Sequence, residues 1–308
     1  NHERKRVIYD RRKIGHPHAE RIIASDPRCD LAPFRSRHRG LCRRPGRGPA
    51  RGLLRLTPAD CGLLASIGIA DVLVVRPLRV SLLTTGDELI APGNDLPAGK
   101  IYESNSFVLR PVLNRLGAEV SLVTAVSDTL EAIQEALETA AADADIIITS
   151  GGVSVGEADF TRTAVEALGQ LDLWKLAMKP GKPLAFGRIG KTLFLGLPGN
   201  PVSALVTLHQ IGLPVLRSLA GEIVTPPIRI PAIASERLKK RPGRADYQRG
   251  VAELHDAGQW QVRSTGLQGS GILSSVSKAN CFIVLEQERG HVEPGETVMV
   301  EMFDQWLS

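Results

Sequence analysis

Asp145–Thr149 (DIIIT) is an unbroken apolar run, the pattern of a strand buried on both faces of a parallel sheet. Arg79–Thr85 (RVSLLTT) and Glu119–Ala125 read as further strands. Helices lie between them. Asn105–Leu116 is closed by Gly117. Asp128-Thr129-Leu130-Glu131 is a capping-box pattern at the head of a helix running to about Ala142. Another helix follows Asp159 and stops at Gly169. Strands are expected near Trp174–Met178 and Thr192–Leu195. Pro198-Gly199-Asn200-Pro201 then opens a long helix, with Asn200 as N-cap and Pro201 in the first turn. Upstream, Thr57-Pro58-Ala59-Asp60 opens a short helix in the same way.

Alternating strands and helices predict an α/β fold, an open, mostly parallel sheet with helices on both faces. After Pro226-Pro227 the pattern changes. Ile228–Ile233, Arg249–Glu253, Trp260–Arg263, Cys281–Leu285 and Thr297–Glu301 are short strands separated by turn signals, which predicts a small C-terminal all-β, barrel-like domain. The expected divisions are a basic, irregular segment 1–55, a short helical linker 56–75, an α/β domain 76–223 and a β-domain 224–308.

Charge sharpens this division. The 308 residues carry a formal net charge of +5, but residues 1–55 hold 16 Lys+Arg against 5 Asp+Glu. The remaining residues hold 22 against 28, so the body of the protein is acidic. The basic segment lacks the interleaved aromatic residues and the motif that a nucleic-acid reading requires. The four cysteines show no CxxC pair, which argues against a zinc knuckle or a disulfide framework. No apolar run approaches the roughly 20 residues that span a bilayer, and the first residues lack a signal-peptide core. These features predict a cytoplasmic protein with small-molecule substrates and no nucleic-acid or membrane partner.

Ligands of open α/β sheets bind beyond the carboxyl ends of the strands. Glu88, Asp128 and Asp159 fall at or beyond such ends, and converging carboxylates suit Mg²⁺ with phosphate oxygens. Asp128 and Asp159 also fit helix caps; Glu88 has no such second role. Ser150-Gly151-Gly152-Val153-Ser154 is a glycine-rich turn whose backbone amides can approach an anion, though a plain tight turn explains it nearly as well. Lys175, Lys179 and Lys182 lie in WKLAMKPGKP. On one strand Lys175 and Lys179 share a face, and a turn at Pro180-Gly181 folds Lys182 back beside them, a cluster that calls for an anion. Pro198, Asn200 and Pro201 form a rigid corner. Arg249 and Ser270 carry oxyanion-binding groups, yet by spacing alone read as exposed polar residues.

Together TTGDEL (Thr84–Leu89), SGGVSVGEADF (Ser150–Phe160), WKLAMKPGKP (Trp174–Pro183) and GLPGNPVSA (Gly196–Ala204) resemble the molybdopterin molybdenumtransferases, the MoeA-type family to which the gephyrin E-domain belongs. The match runs from about Leu56 to the C-terminus. The resemblance implies insertion of molybdenum from molybdate into adenylylated molybdopterin with release of AMP, a divalent cation such as Mg²⁺, and a homodimer. It puts Glu88, Asp128 and Asp159 on the family's acidic active-site positions, with Asp159 and Glu88 as metal ligands, and Gly151, Gly152 and Ser154 on its glycine loop. Lys175, Lys179, Lys182 and Pro183 fall on the basic substrate segment, and Arg249 and Ser270 on positions that help hold molybdate. Possible protein partners are a molybdopterin adenylyltransferase and the molybdoenzymes that take the product. Residues 1–55 match none of the family's N-terminal part, which fits either a basic arm or an aberrant sequence joined to a normal one. The alternatives are a molybdopterin adenylyltransferase, whose single domain shares the SGG loop, and a non-catalytic pterin-binding scaffold.

Overall fold

The computed structural model describes residues 29–33, 41–43, 53–69, 71–151, 160–255, 258–304 and 307. The chain forms two units, residues 1–78 with 213–225, and residues 79–212 with 226–308.

In the first unit, Cys29–Pro33 (β1), Leu41–Arg43 (β2), Leu53–Arg55 (β3) and Asp71–Val75 (β4) pair in the order β1-β4-β2-β3. Strands therefore occur in a segment whose sequence shows no strand periodicity. Pro58–Ser66 (α1) begins as expected. The Thr57 hydroxyl accepts from Asp60 N, and Asp60 reaches back to Thr57 N at 2.9 Å. Leu56, Leu64 and Val72 form this unit's core.

The second unit opens with Arg79–Thr85 (β5), whose residues after Arg79 are all buried. A small ribbon follows, Leu89–Ile90 (β6) against Ile101–Tyr102 (β7). Asn105–Leu116 (α2) ends on left-handed Gly117, then Glu119–Val126 (β8), Leu130–Asp143 (α3) and Ile146–Ser150 (β9) complete two crossovers. Phe160–Leu168 (α4), Gly169–Lys175 (β10), Met178–Lys179 (β11), Pro183–Ile189 (β12) and Thr192–Leu197 (β13) follow. The six-stranded sheet has the order β10-β12-β13-β9-β5-β8. Its β13-β9-β5-β8 part is parallel, and β12 and β10 are antiparallel additions. Helix α2 packs with Pro201–Thr207 (α5), and α3 with α4, so both faces are covered. The chain leaves β5 toward β8 and returns past it to β9. The order therefore reverses between β5 and β9, which defines a switch point.

The expected strand at Trp174–Met178 is not one element. β10 ends at Lys175 inside the α/β sheet, whereas Met178 and Lys179 pair in parallel with Ala245 and Asp246 of the β-domain. Lys175 and Lys179 thus belong to different sheets and share no strand face. After α5 the helix loosens into a π turn, Leu208–Gly212, and continues as Leu213–Leu219 (α6). Pro201–Leu219 is long and apolar enough to cross a membrane, with mean hydropathy 1.2, contrary to the sequence expectation. It is 61% buried in the protein, as a core helix of a globular fold is.

The β-domain consists of Ile230–Ala234 (β14), Ala245–Leu254 (β15), Trp260–Ser264 (β16), the short helix Ser274–Ser277 (α7), Cys281–Leu285 (β17) and Thr297–Met302 (β18). Strand β15 pairs with β17 through Asp246–Gly250 and with β16 through Gly250–Leu254. That double pairing closes β15-β16-β14-β18-β17 into a five-stranded barrel, which leaves few free edges. Ala232, Val262, Cys281, Ile283, Val298 and Val300 fill it. A second core joins Met178 and the α5 residues Val202 and Val206 to Phe282 and Val284 on β17, so α5 lies between the sheet and the barrel.

Candidate functional site

The switch point is assembled from chain ends that the parallel strands bring to one edge. At the end of β9, Gly151 has φ +97, and its N–H donates to Leu197 O of β13 at 3.3 Å. A β-carbon there would stand 3.0 Å from the Thr85 carbonyl, so only glycine lets the ends of β5 and β9 approach so closely. On the β13 side Pro198 is buried, while Gly199 and Asn200 are exposed. Asn200 caps α5 in extended conformation with Pro201 following, as expected, although its side chain makes no cap bond.

Asn105, at the start of α2, ties this corner together. Its Nδ2 donates to Ser150 Oγ at 2.6 Å and to Gly199 O at 2.7 Å. Sequence reasoning missed it, because an asparagine at a helix start carries only a capping signal. Glu103, buried just before it, accepts from Ser106 N at 2.9 Å and from the Ser106 hydroxyl, fixing the first turn of α2.

Acidic groups gather beside this corner. Glu88 curls back, with Oε2 2.7 Å from where a Gly86 β-carbon would be. Asp128 N donates to Asp87 Oδ1 at 3.1 Å, which brings Asp87 beside Asp128. The Asp128 carboxyl is raised above its ordinary pKa, first by desolvation, then by Asp87 and Glu88. The capping role that Asp128 could have filled belongs to Thr129, whose hydroxyl accepts from Ala132 N at 3.3 Å. Asp128 is left free of the helix and repelled by its neighbours. Gly152, Ser154 and Asp159 lie outside the described residues.

Among the described residues no group of three or more His, Cys, Asp and Glu side chains is close enough to hold a metal by itself. The hard oxygens of Asp87, Glu88 and Asp128 nevertheless suit Mg²⁺, which commonly takes one or two carboxylates and completes its shell with water and phosphate oxygens. The pressure of Asp87 and Glu88 on Asp128 fits a cation as well, although one positive charge is already near, the Lys100 ammonium donating to the Asp87 carbonyl at 2.8 Å.

The basic segment folds as a hairpin-like turn. Leu176 N donates to Lys182 O at 2.7 Å, and Lys175 is in register with Pro183, so Lys175 and Lys182 flank the turn, both exposed. Lys179 is held by Asp246, with Nζ 3.3 Å from Oδ2 of that buried carboxylate.

Arg249 overturns the expectation of an exposed residue, being fully buried. Its Nε donates to Ser275 Oγ at 3.0 Å, Nη2 to Gly269 O at 3.3 Å and Nη1 to Tyr247 O at 3.4 Å. Burial lowers its pKa to about 10, against an opposing pull from Asp246. The guanidinium therefore braces the loop that carries Ser270. That loop docks on α5, where Ser270 O accepts from Val202 N at 3.0 Å. Ser270 is half-buried rather than exposed.

A doubly wound sheet with a glycine turn, a Pro-Gly-Asn corner and carboxylates at its switch point defines a ligand-binding α/β domain, here joined to a five-stranded barrel. Residues 81–218 match the family model "Probable molybdopterin binding domain", and residues 231–303 match "MoeA C-terminal region (domain IV)". The molybdopterin molybdenumtransferase of Haemophilus influenzae is 48% identical over 254 residues, covering 82% of this chain and 63% of that protein. Gephyrin of Dictyostelium discoideum is 33% identical over 78% of this chain and 38% of its own length. A solved molybdopterin biosynthesis MoeA protein from Pyrococcus horikoshii superposes with a TM-score of 0.68 at 28% identity, covering 82% of this chain and 61% of that one. The chain belongs to the MoeA-type molybdopterin molybdenumtransferase family, and it spans about three-fifths of the length of several curated transferases it matches.

Proposed function

We propose that the chain acts in molybdenum cofactor biosynthesis as a molybdopterin molybdenumtransferase, inserting molybdenum from molybdate into adenylylated molybdopterin with release of AMP. The observation that carries this reading is the meeting, at one sheet edge, of left-handed Gly151, the Asn105-braced corner and the Asp128 carboxyl with Asp87 and Glu88 beside it. In this reading the turn at Gly151 and Gly152, with Ser154, receives the phosphate end of the substrate. Pro198, Asn200 and Pro201 shape the wall opposite.

Glu88 and Asp159 would hold Mg²⁺, whose contribution when bound is to neutralise phosphate charge. Asp128 keeps that edge negative. Lys175, Lys179, Lys182 and Pro183 form the basic flank that neutralises molybdate and phosphate. Ser270 is positioned by Arg249 acting from beneath its loop, so Arg249 serves the oxyanion site through the backbone and not by direct contact. The protein is read as a homodimer of the cytoplasm, where the free thiols Cys61 and Cys281 are at home. Its protein partners would be a molybdopterin adenylyltransferase upstream and molybdoenzymes downstream.

The test is AMP release from adenylylated molybdopterin, measured with and without molybdate and Mg²⁺. Molybdate-dependent release that falls by about 10²-fold in Glu88→Gln, on the scale of losing one preorganised electrostatic contact, agrees with the assignment. Molybdate-independent release, or adenylylation of molybdopterin by ATP, would replace it with the adenylyltransferase reading. Binding of the adenylylated pterin without turnover would make the chain a scaffold.

A further inference from the structure

The β14–β15 loop carries a feature that the reading above does not use. Lys239, Lys240, Arg241 and Arg244 of this loop, with Lys179, Asp246 and His291, line a cavity of about 360 Å³. The loop is fixed in place. Leu238 and Val292 exchange backbone hydrogen bonds at 2.9 and 3.0 Å, Gly243 N donates to Gln287 O at 2.9 Å, and Lys240 N donates to His291 Nδ1 at 3.1 Å.

Lys240 is only 3% exposed. Its ammonium donates to the carbonyls of Arg289 at 2.7 Å, Gln287 at 3.1 Å and Arg241 at 3.4 Å. All three donors are committed, so Lys240 supplies the cavity with a fixed positive charge and no mobile arm. Lys239, Arg241 and Arg244 are exposed and make no side-chain hydrogen bond or ion pair among the described residues. Because His291 Nδ1 accepts, its Nε2 carries the proton of the neutral ring and is a further donor. The lone carboxylate, Asp246, is bound through Oδ2 by Lys179 and by Gln248 Nε2 at 3.2 Å, while its buried Oδ1 has no hydrogen-bond partner among the described residues. Five cations face one carboxylate, engaged through Oδ2 alone, so the lining keeps a large positive excess.

We propose that this cavity binds the phosphate group of a small molecule. Two guanidinium forks match phosphate oxygens in shape and charge. The volume lies at the low end of small-molecule sites, roughly 300–1,000 Å³, with room for more than one bare tetrahedral ion. A pyrophosphate or a phosphate ester satisfies both size and charge. The site uses residues that the molybdenum-insertion reading leaves out, Lys179 excepted, and it stands or falls separately.

The test is calorimetric titration of the full chain with inorganic pyrophosphate at physiological ionic strength, with no turnover involved. We expect one saturable site that weakens about tenfold or more in Lys239→Gln/Arg244→Gln, the scale of losing charge-assisted contacts. Arg237→Gln/Arg263→Gln removes the same charge from side chains paired instead with Glu293 and Glu253, and should stay within about twofold of the unsubstituted chain, as exposed pairs contribute little. Displacement of pyrophosphate by inorganic phosphate identifies the free ion as the ligand, and displacement by AMP alone identifies a nucleotide phosphate. Equal weakening in the two double variants, absence of saturable pyrophosphate binding, or binding of a short single-stranded RNA in its place overturns the proposal.

Discussion

Gly181, in the turn of the basic segment, is the residue whose replacement tests most directly how that segment is seated. Its φ is +104, and an added β-carbon would stand 2.3 Å from Thr207 Oγ1 on α5 and 3.5 Å from the Ser203 carbonyl. Alanine there meets two separate penalties. The left-handed backbone costs about 1–3 kcal/mol, and forcing a methyl group against a buried helix costs about 1–3 kcal/mol more. Gly181→Ala should therefore lower stability by roughly 2–6 kcal/mol, a large part of the usual 5–15 kcal/mol. Thr207→Ala separates the two. The Thr207 hydroxyl is buried without a hydrogen-bond partner among the described residues, so removing it breaks no bond while it clears the clashing atom. In that background Gly181→Ala keeps only the backbone penalty, and a double-mutant cycle in urea should show coupling of about 1–3 kcal/mol. Strict additivity of the two substitutions would mean that the turn does not press on α5, and the seating of Lys179 and Lys182 described above would be wrong.

Asp128→Asn should raise the urea midpoint near neutral pH. A carboxyl raised in the folded protein is ionised first in the unfolded chain, so the cost of keeping Asp128 appears as pH rises past its ordinary value of 3.8 and is complete above its raised one. The gain should stay under about 1 kcal/mol because the group is exposed, and should fade in acid and in high salt; a gain that persists in acid contradicts the charge origin. Arg249→Ala should cost about 3–5 kcal/mol by stripping a buried guanidinium from Ser275, Gly269 and Tyr247. The amide of Val202, whose acceptor is on the braced loop, should then exchange faster in hydrogen-exchange measurements, and unchanged protection would refute the bracing. Cys281, buried in the barrel with its thiol pushed up to about 12, should resist iodoacetamide in the native protein and react only on unfolding.

The parts of the fold that could be read in the sequence carry their own punctuation. Arg79–Thr85, Asn105–Leu116 and Cys281–Leu285 begin and end where a glycine, a cap or an apolar run says they should. Pro183–Ile189 escaped because a leading proline and an internal glycine break the strand signal, although its edges are paired on both sides in the folded sheet. The division of WKLAMKPGKP between two sheets has no local signature at all. Lys179 belongs to the barrel because it pairs with Asp246 while its neighbour Met178 packs on Phe282 and Val284, and both interactions join residues distant in sequence.

The candidate site shows the same limit in its chemistry. Residue type announced that Arg249 can grip an oxyanion, and burial assigns that grip to the carbonyl oxygens of Gly269 and Tyr247. Conversely, Lys239 to Arg244 looks in sequence like a solvated basic run. Only the fold shows Lys240 sunk on three carbonyls while its neighbours stand unpaired around a cavity. Charge alone therefore did not separate a ligand-facing cation from a structural one. What separates them is whether the donors are already satisfied by the protein, which is set by contacts across the barrel and not by spacing along the chain.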